Sequence, residues 1–253
     1  MLTSQAKKDD SLILPSRITS DVYRGMVKVY DLITRKILVK QTDLLVSGFT
    51  DLEEEAKSLV FKYRQQIEDY IERHPSFARA FSPLKRDPFA PSIINSMIEA
   101  GSRANVGPMA SVAGAIAEYV GLGLLPYSRD VIVENGGDVF ILSKVKREML
   151  LLAESSDFTG IKIAIQPSSK PIGVCTSSGK LGHSLSYGRA DAVMVVGSTA
   201  SMADATATYI ANLIETPSHI EEGLKRAGEI GVLGVLILIE GQMGAWGQIE
   251  FLN

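Results

Sequence analysis

The sequence predicts an α+β fold in which antiparallel sheets carry packed helices. Three observations predict it. Short β-like segments open the chain, a long amphipathic helical pattern follows near residue 52, and the texture from Val131 onward breaks into many short β segments with one helix pattern among them.

Residues 1–20 read as a loose leader. Strand-like segments follow at Tyr23–Tyr30, Lys36–Lys40 and Asp43–Ser47, where β-branched and aliphatic residues dominate, and they predict an opening meander. Thr50 and Glu53 have capping-box spacing, so a helix starts there. Leu52, Ala56, Leu59, Val60, Tyr63, Ile67, Tyr70 and Ile71 recur on one face at the helical period until Pro75 ends the pattern. A shorter helix is expected near Ser76–Phe81. Pro83, Pro88 and Pro91 then punctuate a loop, a subregion boundary near 83–91 inside one domain that spans 1–253.

Ser92 is placed to cap a helix through Ala104, and Gly107-Pro108 opens another through Tyr119. The small residues of that second helix, Gly107, Ala110, Ser111, Ala113, Gly114, Ala115 and Ala117, allow close approach by a sheet or a flat ligand, with close packing the plainer reading. The β segments expected next are Val131–Glu134, Val139–Leu142, Met149–Ala153, Ile161–Gln166, Ile172–Thr176 and Ala192–Val196. A helix over Ser201–Glu215, a shorter one over His219–Ala227, a buried strand over Val232–Ile239 and a final segment at Gln248–Leu252 complete the chain.

Composition narrows the function classes. The 253 residues carry 45% hydrophobic and 22% charged side chains, ordinary for a globular protein and against long disorder. A formal net charge of -3 supplies no broad cationic field, so nucleic acid is not the expected partner. One cysteine, Cys175, forms no intrachain disulfide and no cysteine-based zinc cluster, which fits a reducing cytoplasm. The apolar stretch Leu12-Ile13-Leu14 is too short for a signal peptide, and Val232–Ile239 is far below the roughly 20 residues of a membrane span. No membrane partner is expected, and homo-oligomerisation is left open.

Three segments are suited to chemistry. Asn135-Gly136-Gly137-Asp138 lies between two aliphatic strands, where Asn-Gly predicts a type I′ hairpin turn and the paired glycines also let a ring or phosphate approach the backbone. Thr176-Ser177-Ser178-Gly179 leads from a strand toward Lys180, His183 and Ser184, a set of hydroxyls and amides suited to an anion, with an imidazole able to exchange a proton. A plain surface turn uses the same residue types. Ser201 and Asp204 have capping-box spacing, but Asp204 and Thr208 also lie one helical turn apart and share a face on which two oxygens can meet a hard cation.

In that order, Asn135-Gly136-Gly137-Asp138, Thr176-Ser177-Ser178-Gly179, His183 and Ala203-Asp204-Ala205 with Thr208 resemble the ApbE family of FAD:protein FMN transferases. The YRGMV start, the HPSF segment, GPMASVAGAIAEYVG, ENGGD, GHSLSYGRADAV and GAWG are similar to an uncharacterised prokaryotic protein family within the same ApbE-like superfamily. The resemblance implies an ApbE-like, T-fold-related architecture and a protein that binds FAD, FMN or another nucleotide-type ligand with Mg2+. It implies a magnesium-dependent transferase with Asp204 and Thr208 on the metal. Asn135, Gly136, Gly137, Asp138, Thr176, Ser177, Ser178, Gly179 and Ser184 would line the cofactor, and His183 would be the catalytic proton carrier. Where the transferases follow their histidine with D-P-x-T-G, this chain has Ser184-Leu185-Ser186-Tyr187-Gly188-Arg189. That departure favours the alternative of a non-catalytic flavin or nucleotide carrier or sensor. A ligand-free assembly protein is the third reading.

Overall fold

A computed structural model of the chain describes residues 27–151, 160–177 and 188–252. Its centre is an eight-stranded antiparallel sheet in the order β1-β2-β3-β4-β7-β8-β9-β10. In chain order these strands are β1 (Ile33–Val39), β2 (Thr42–Gly48), β3 (Val131–Asn135), β4 (Asp138–Leu142), β7 (Ile172–Ser177), β8 (Ala192–Gly197), β9 (Gly234–Ile239) and β10 (Gln242–Gly247). A three-stranded sheet of β5 (Arg147–Leu151), β6 (Ile161–Ile165) and β11 (Glu250–Phe251) covers one face. The helices α1 (Glu53–Arg73), α2 (Pro75–Arg79), α3 (Ser92–Ala104), α4 (Val112–Leu124), α5 (Ala200–Leu213) and α6 (Ile220–Ile230) belong to the other.

Side-chain alternation along each strand divides the core in two. On the helix side Phe140, Cys175, Val193 and Val195 join Ala203, Ala207 and Ile210 of α5. On the small-sheet side Val139, Ile141, Val174 and Met194 meet Met149 and Ile163. Every residue of β8 and β9 is buried because both faces of those strands are covered.

The α+β class and the antiparallel sheets agree with expectation, while several local signals were outcompeted. Thr50 does not cap α1. Its hydroxyl donates to the Tyr127 carbonyl at 3.1 Å, and Asp51, chelated by Arg35, accepts the Glu53 N–H at 3.3 Å instead. The expected strand over Tyr23–Tyr30 leaves only an isolated bridge from Val27 to Met149 among the described residues. Strand β10 went unread because Gln242–Gly247 is glycine-rich and largely exposed, so it carries no hydrophobic alternation. Backbone pairing to β9, from Gln242 opposite Ile239 to Gly247 opposite Gly234, makes it a strand all the same.

Candidate functional site

The hairpin between β3 and β4 closes with Asn135 opposite Asp138. Gly136 takes φ +71°, whereas Gly137 is not among the positive-φ residues, so the turn follows the II′ pattern and corrects the expected I′. Asp138 sits opposite Cys175 on β7. Residues opposite one another share a face, so Asn135, Asp138 and Cys175 form a row on the helix side at one end of the sheet. Ser177, two residues beyond Cys175 and opposite Val193, lies on the same face.

Thr176 does not. It sits opposite Met194, whose side chain belongs to the small-sheet core, so Thr176 and Ser177 point to opposite faces. The expectation that Thr176 and Ser177 hydroxyls form one cradle is therefore corrected by strand geometry. Ser178, Gly179, His183 and Ser184 lie outside the described residues.

Above this row stand the N-terminal ends of α4 and α5. The Asn135 side-chain amide donates to the Ala113 carbonyl at 3.0 Å and ties the hairpin to the first turn of α4. Asp204 Oδ2 accepts the Gly114 N–H at 2.8 Å. Asp204 thus supplies an acceptor to the helix start of α4, and not to its own. The Ser201–Asp204 capping box is not formed: the Thr199 hydroxyl caps α5 by accepting the Met202 N–H at 3.2 Å. Ser201 turns instead to Glu118 of α4, whose Oε2 accepts the Ser201 N–H at 3.0 Å and its hydroxyl at 2.6 Å. Thr208 lies one turn beyond Asp204, with its hydroxyl 3.5 Å from the carbonyl of Ala110 in the 3₁₀ turn before α4.

This architecture brings two carboxylates of like charge into one buried neighbourhood. Burial first, and the Asp138 carboxylate second, raise Asp204 well above the usual carboxylate range, against the pull of the Gly114 and Ala113 amides. Burial pushes Asp138 up to about 7, against the Cys175 thiol and the Thr176 amide, which favour its ionised form. The same burial, reinforced by both aspartates, holds Cys175 in its thiol form, and its Sγ lies 3.3 Å from the Ala200 carbonyl. Two like-charged acids in a low dielectric require a shared proton or a cation to be comfortable. Asp138 Oδ1 and Ser177 Oγ are both buried without a hydrogen-bond partner. Such atoms mark places where a ligand, ion or water completes the structure.

The donor set suits magnesium, which takes one or two carboxylates and completes its shell with substrate phosphate and water. Among the described residues no group of three or more His, Cys, Asp or Glu is arranged to hold a metal by itself. A surface cleft of about 420 Å³ lies away from this cluster, beside the small sheet, lined by Lys28, Tyr30, Asp31, Val145, Lys146, Arg147 and Glu148. Its Lys28–Glu148 and Arg147–Asp31 charges are mutually paired.

The sequence alone points to Gly114 for close approach but not to Glu118. The available signal was a single acid within Ala113-Gly114-Ala115-Ile116-Ala117-Glu118, a stretch otherwise without charge. A Cβ on Gly114 would stand 2.4 Å from the Ala200 carbonyl oxygen and 2.8 Å from Asp204 Cβ, so the small residues of α4 serve close helix packing.

The α+β fold with antiparallel sheets is like that of the ApbE flavin transferases. A solved variant of the flavin transferase ApbE from Vibrio cholerae matches with a TM-score of 0.58 at 12% identity, covering 86% of this chain and 97% of that one, a likeness of fold. The family model described as "AbpE bacteria" matches residues 31–230, and the chain belongs to that family. A UPF0280 protein from Methanococcus aeolicus is 40% identical over 199 residues, 75% of this chain and 80% of its own length. Another from Methanothermobacter thermautotrophicus is 36% identical over 242 residues, 93% of each chain. Among the described residues no helix is long and apolar enough to cross a membrane.

Proposed function

We propose that the protein binds a flavin or other nucleotide-type ligand together with Mg2+ where the β3–β4 hairpin meets the starts of α4 and α5, and that it acts as a magnesium-dependent transferase on that ligand. The supporting observation is the convergence of Asp138 and Asp204 beside the partnerless Asp138 Oδ1 and Ser177 Oγ. Asp204 and Asp138 would hold the cation, with Thr208 on the Asp204 face. Bound there, magnesium would neutralise charge developing on a transferring phosphate group. The chain's own part is positioning: the Asn135 amide fixes the hairpin against α4, and Gly136 and Gly137 leave the turn without side chains in a ligand's path. Ser177, Ser178, Gly179 and Ser184 are the proposed phosphate contacts, and His183 the proposed proton carrier. The resemblance to flavin transferases and the family relationship support the choice of ligand class.

Thermal unfolding with FAD, FMN or ADP, each with and without Mg2+, tests this reading. Binding to the native state raises its stability by about 2.7 kcal/mol at 100-fold excess over Kd. The expected result is stabilisation by a flavin nucleotide that grows when Mg2+ is added, with the Mg2+-dependent part lost in Asp204→Ala. Absence of any response to all three nucleotides would overturn the proposal. Incubating the protein with FAD, Mg2+ and a hydroxyl-bearing acceptor, and following release of AMP as the FMN phosphate bonds to the acceptor oxygen, then separates turnover from storage. Binding without turnover would establish the carrier instead.

A further inference from the structure

The two helix starts at the site exchange carboxylates. Asp204 of α5 accepts from Gly114 in the first turn of α4, and Glu118 of α4 accepts twice from Ser201 in the first turn of α5. The contacts pair 114 with 204 and 118 with 201, so the two helices run past one another in opposite directions. Asp204 lies about one turn and Glu118 nearly two turns along its own helix, and each reaches the N–H groups at the start of the other. Helix starts carry partial positive charge and unsatisfied N–H groups, so each exchange is favourable in both hydrogen bonding and electrostatics. Both acids are buried, which makes their alternatives costly.

The geometry points to Glu118 as the positioning residue for Asp204, an inference that rests on the proposed role of Asp204 at the cation. Two donors from Ser201 on a single oxygen hold the start of α5 against α4. Gly114 lets the helices approach until its own position is 2.8 Å, measured from an added Cβ, from Asp204 Cβ. One turn further along the same helix, Asp204 shares its register on α4 with the Glu118 contact. The sheet still holds α5 through Ala203, Ala207 and Ile210 when that contact is lost, but the first turn of α5 is released on its α4 side and Asp204 shifts away from the Gly114 amide. Asp138 is fixed independently, by the sheet pairing to Cys175 and by the hairpin. Glu118 therefore sets how closely Asp204 is held toward Asp138.

The test uses Glu118→Ala and Glu118→Gln, with two readouts at a temperature where each variant is folded. The first is the Gly114 amide resonance, which needs no ligand and reports its bond to the Asp204 carboxylate. The second is Mg2+ affinity measured by titration in the presence of FAD. Removing a residue that orients a metal ligand typically weakens the metal by roughly 10–100-fold, the loss expected for Glu118→Ala, together with an upfield shift of the Gly114 amide. Glu118→Gln keeps an oxygen acceptor for Ser201 and is expected within about threefold of wild type. A folded Glu118→Ala protein with the Gly114 amide in place overturns the inference whatever Mg2+ does. A shifted amide in a protein whose wild type shows no Mg2+-dependent FAD binding sustains the positioning of Asp204 and sinks the proposed function alone. Should Glu118→Ala fail to fold, Ser201→Ala removes the hydroxyl donor and leaves the charge. It should move the same resonance by a smaller amount, and an unmoved resonance there counts against the inference.

Discussion

Charge is buried on both faces of the large sheet, and the two faces handle it in opposite ways. On the small-sheet side Arg147 reaches Asp130 at 3.4 Å and also pairs with Asp31, while Asp130 Oδ2 collects the Ser143 hydroxyl at 2.8 Å and the Lys144 N–H at 3.1 Å. The Arg147 hydrogen bond holds Asp31 below the usual carboxylate range. On the helix side Asp138 meets Asp204, a second acid, and burial raises both. Asp130 and Asp138 each leave Oδ1 without a partner, so an orphaned oxygen does not distinguish them. The counter-charge does. The first cluster carries its own counter-charge, whereas the second needs a proton or a cation to balance it.

Breaking each cluster should expose this difference. The largest effect belongs to Arg147→Ala, which leaves Asp130 buried and unpaired: a loss of about 3–5 kcal/mol in urea unfolding is expected. Asp138→Asn should move stability the other way. The folded carboxyl titrates near 7, above its ordinary value of 3.8, so its favourable contribution is complete below about pH 4 and is lost as pH rises through 7. Wild type therefore carries the full penalty at pH 8. Asparagine carries none, and a gain of about 2 kcal/mol at pH 8 that vanishes near pH 4 is expected, discounted for partial exposure. No gain at pH 8 would mean the carboxylate is already balanced. The smallest effect is Thr199→Ala, which removes the α5 cap and should cost about 1 kcal/mol in the same unfolding experiment. A larger loss would show that the cap, and not Glu118, holds the helix start.

Two parts of the candidate site were legible because each is a short continuous stretch. Asn135 to Asp138 declared a tight turn between strands, and Asp204 and Thr208 declared a shared helical face. Which partners they meet was not legible. Capping boxes at Thr50–Glu53 and Ser201–Asp204 are local patterns, and in both cases a partner distant in sequence took the side chain: Tyr127 for Thr50, Glu118 for Ser201 and Gly114 for Asp204. A hydrogen bond to a neighbour 77 to 90 residues away leaves no spacing to read.

By itself, the sequence determined the class of fold, the long α1 helix, the buried β9 core and the hairpin at Gly136, because period and turn chemistry act over a few residues. Only the tertiary structure decided that Thr176 turns away from Ser177's face, that the glycine-rich Gln242–Gly247 becomes an edge strand, and that Asp204 serves α4. Strand pairing and helix contact act between segments far apart in the chain. They place two acids together at a cost in solvation that no local pattern records.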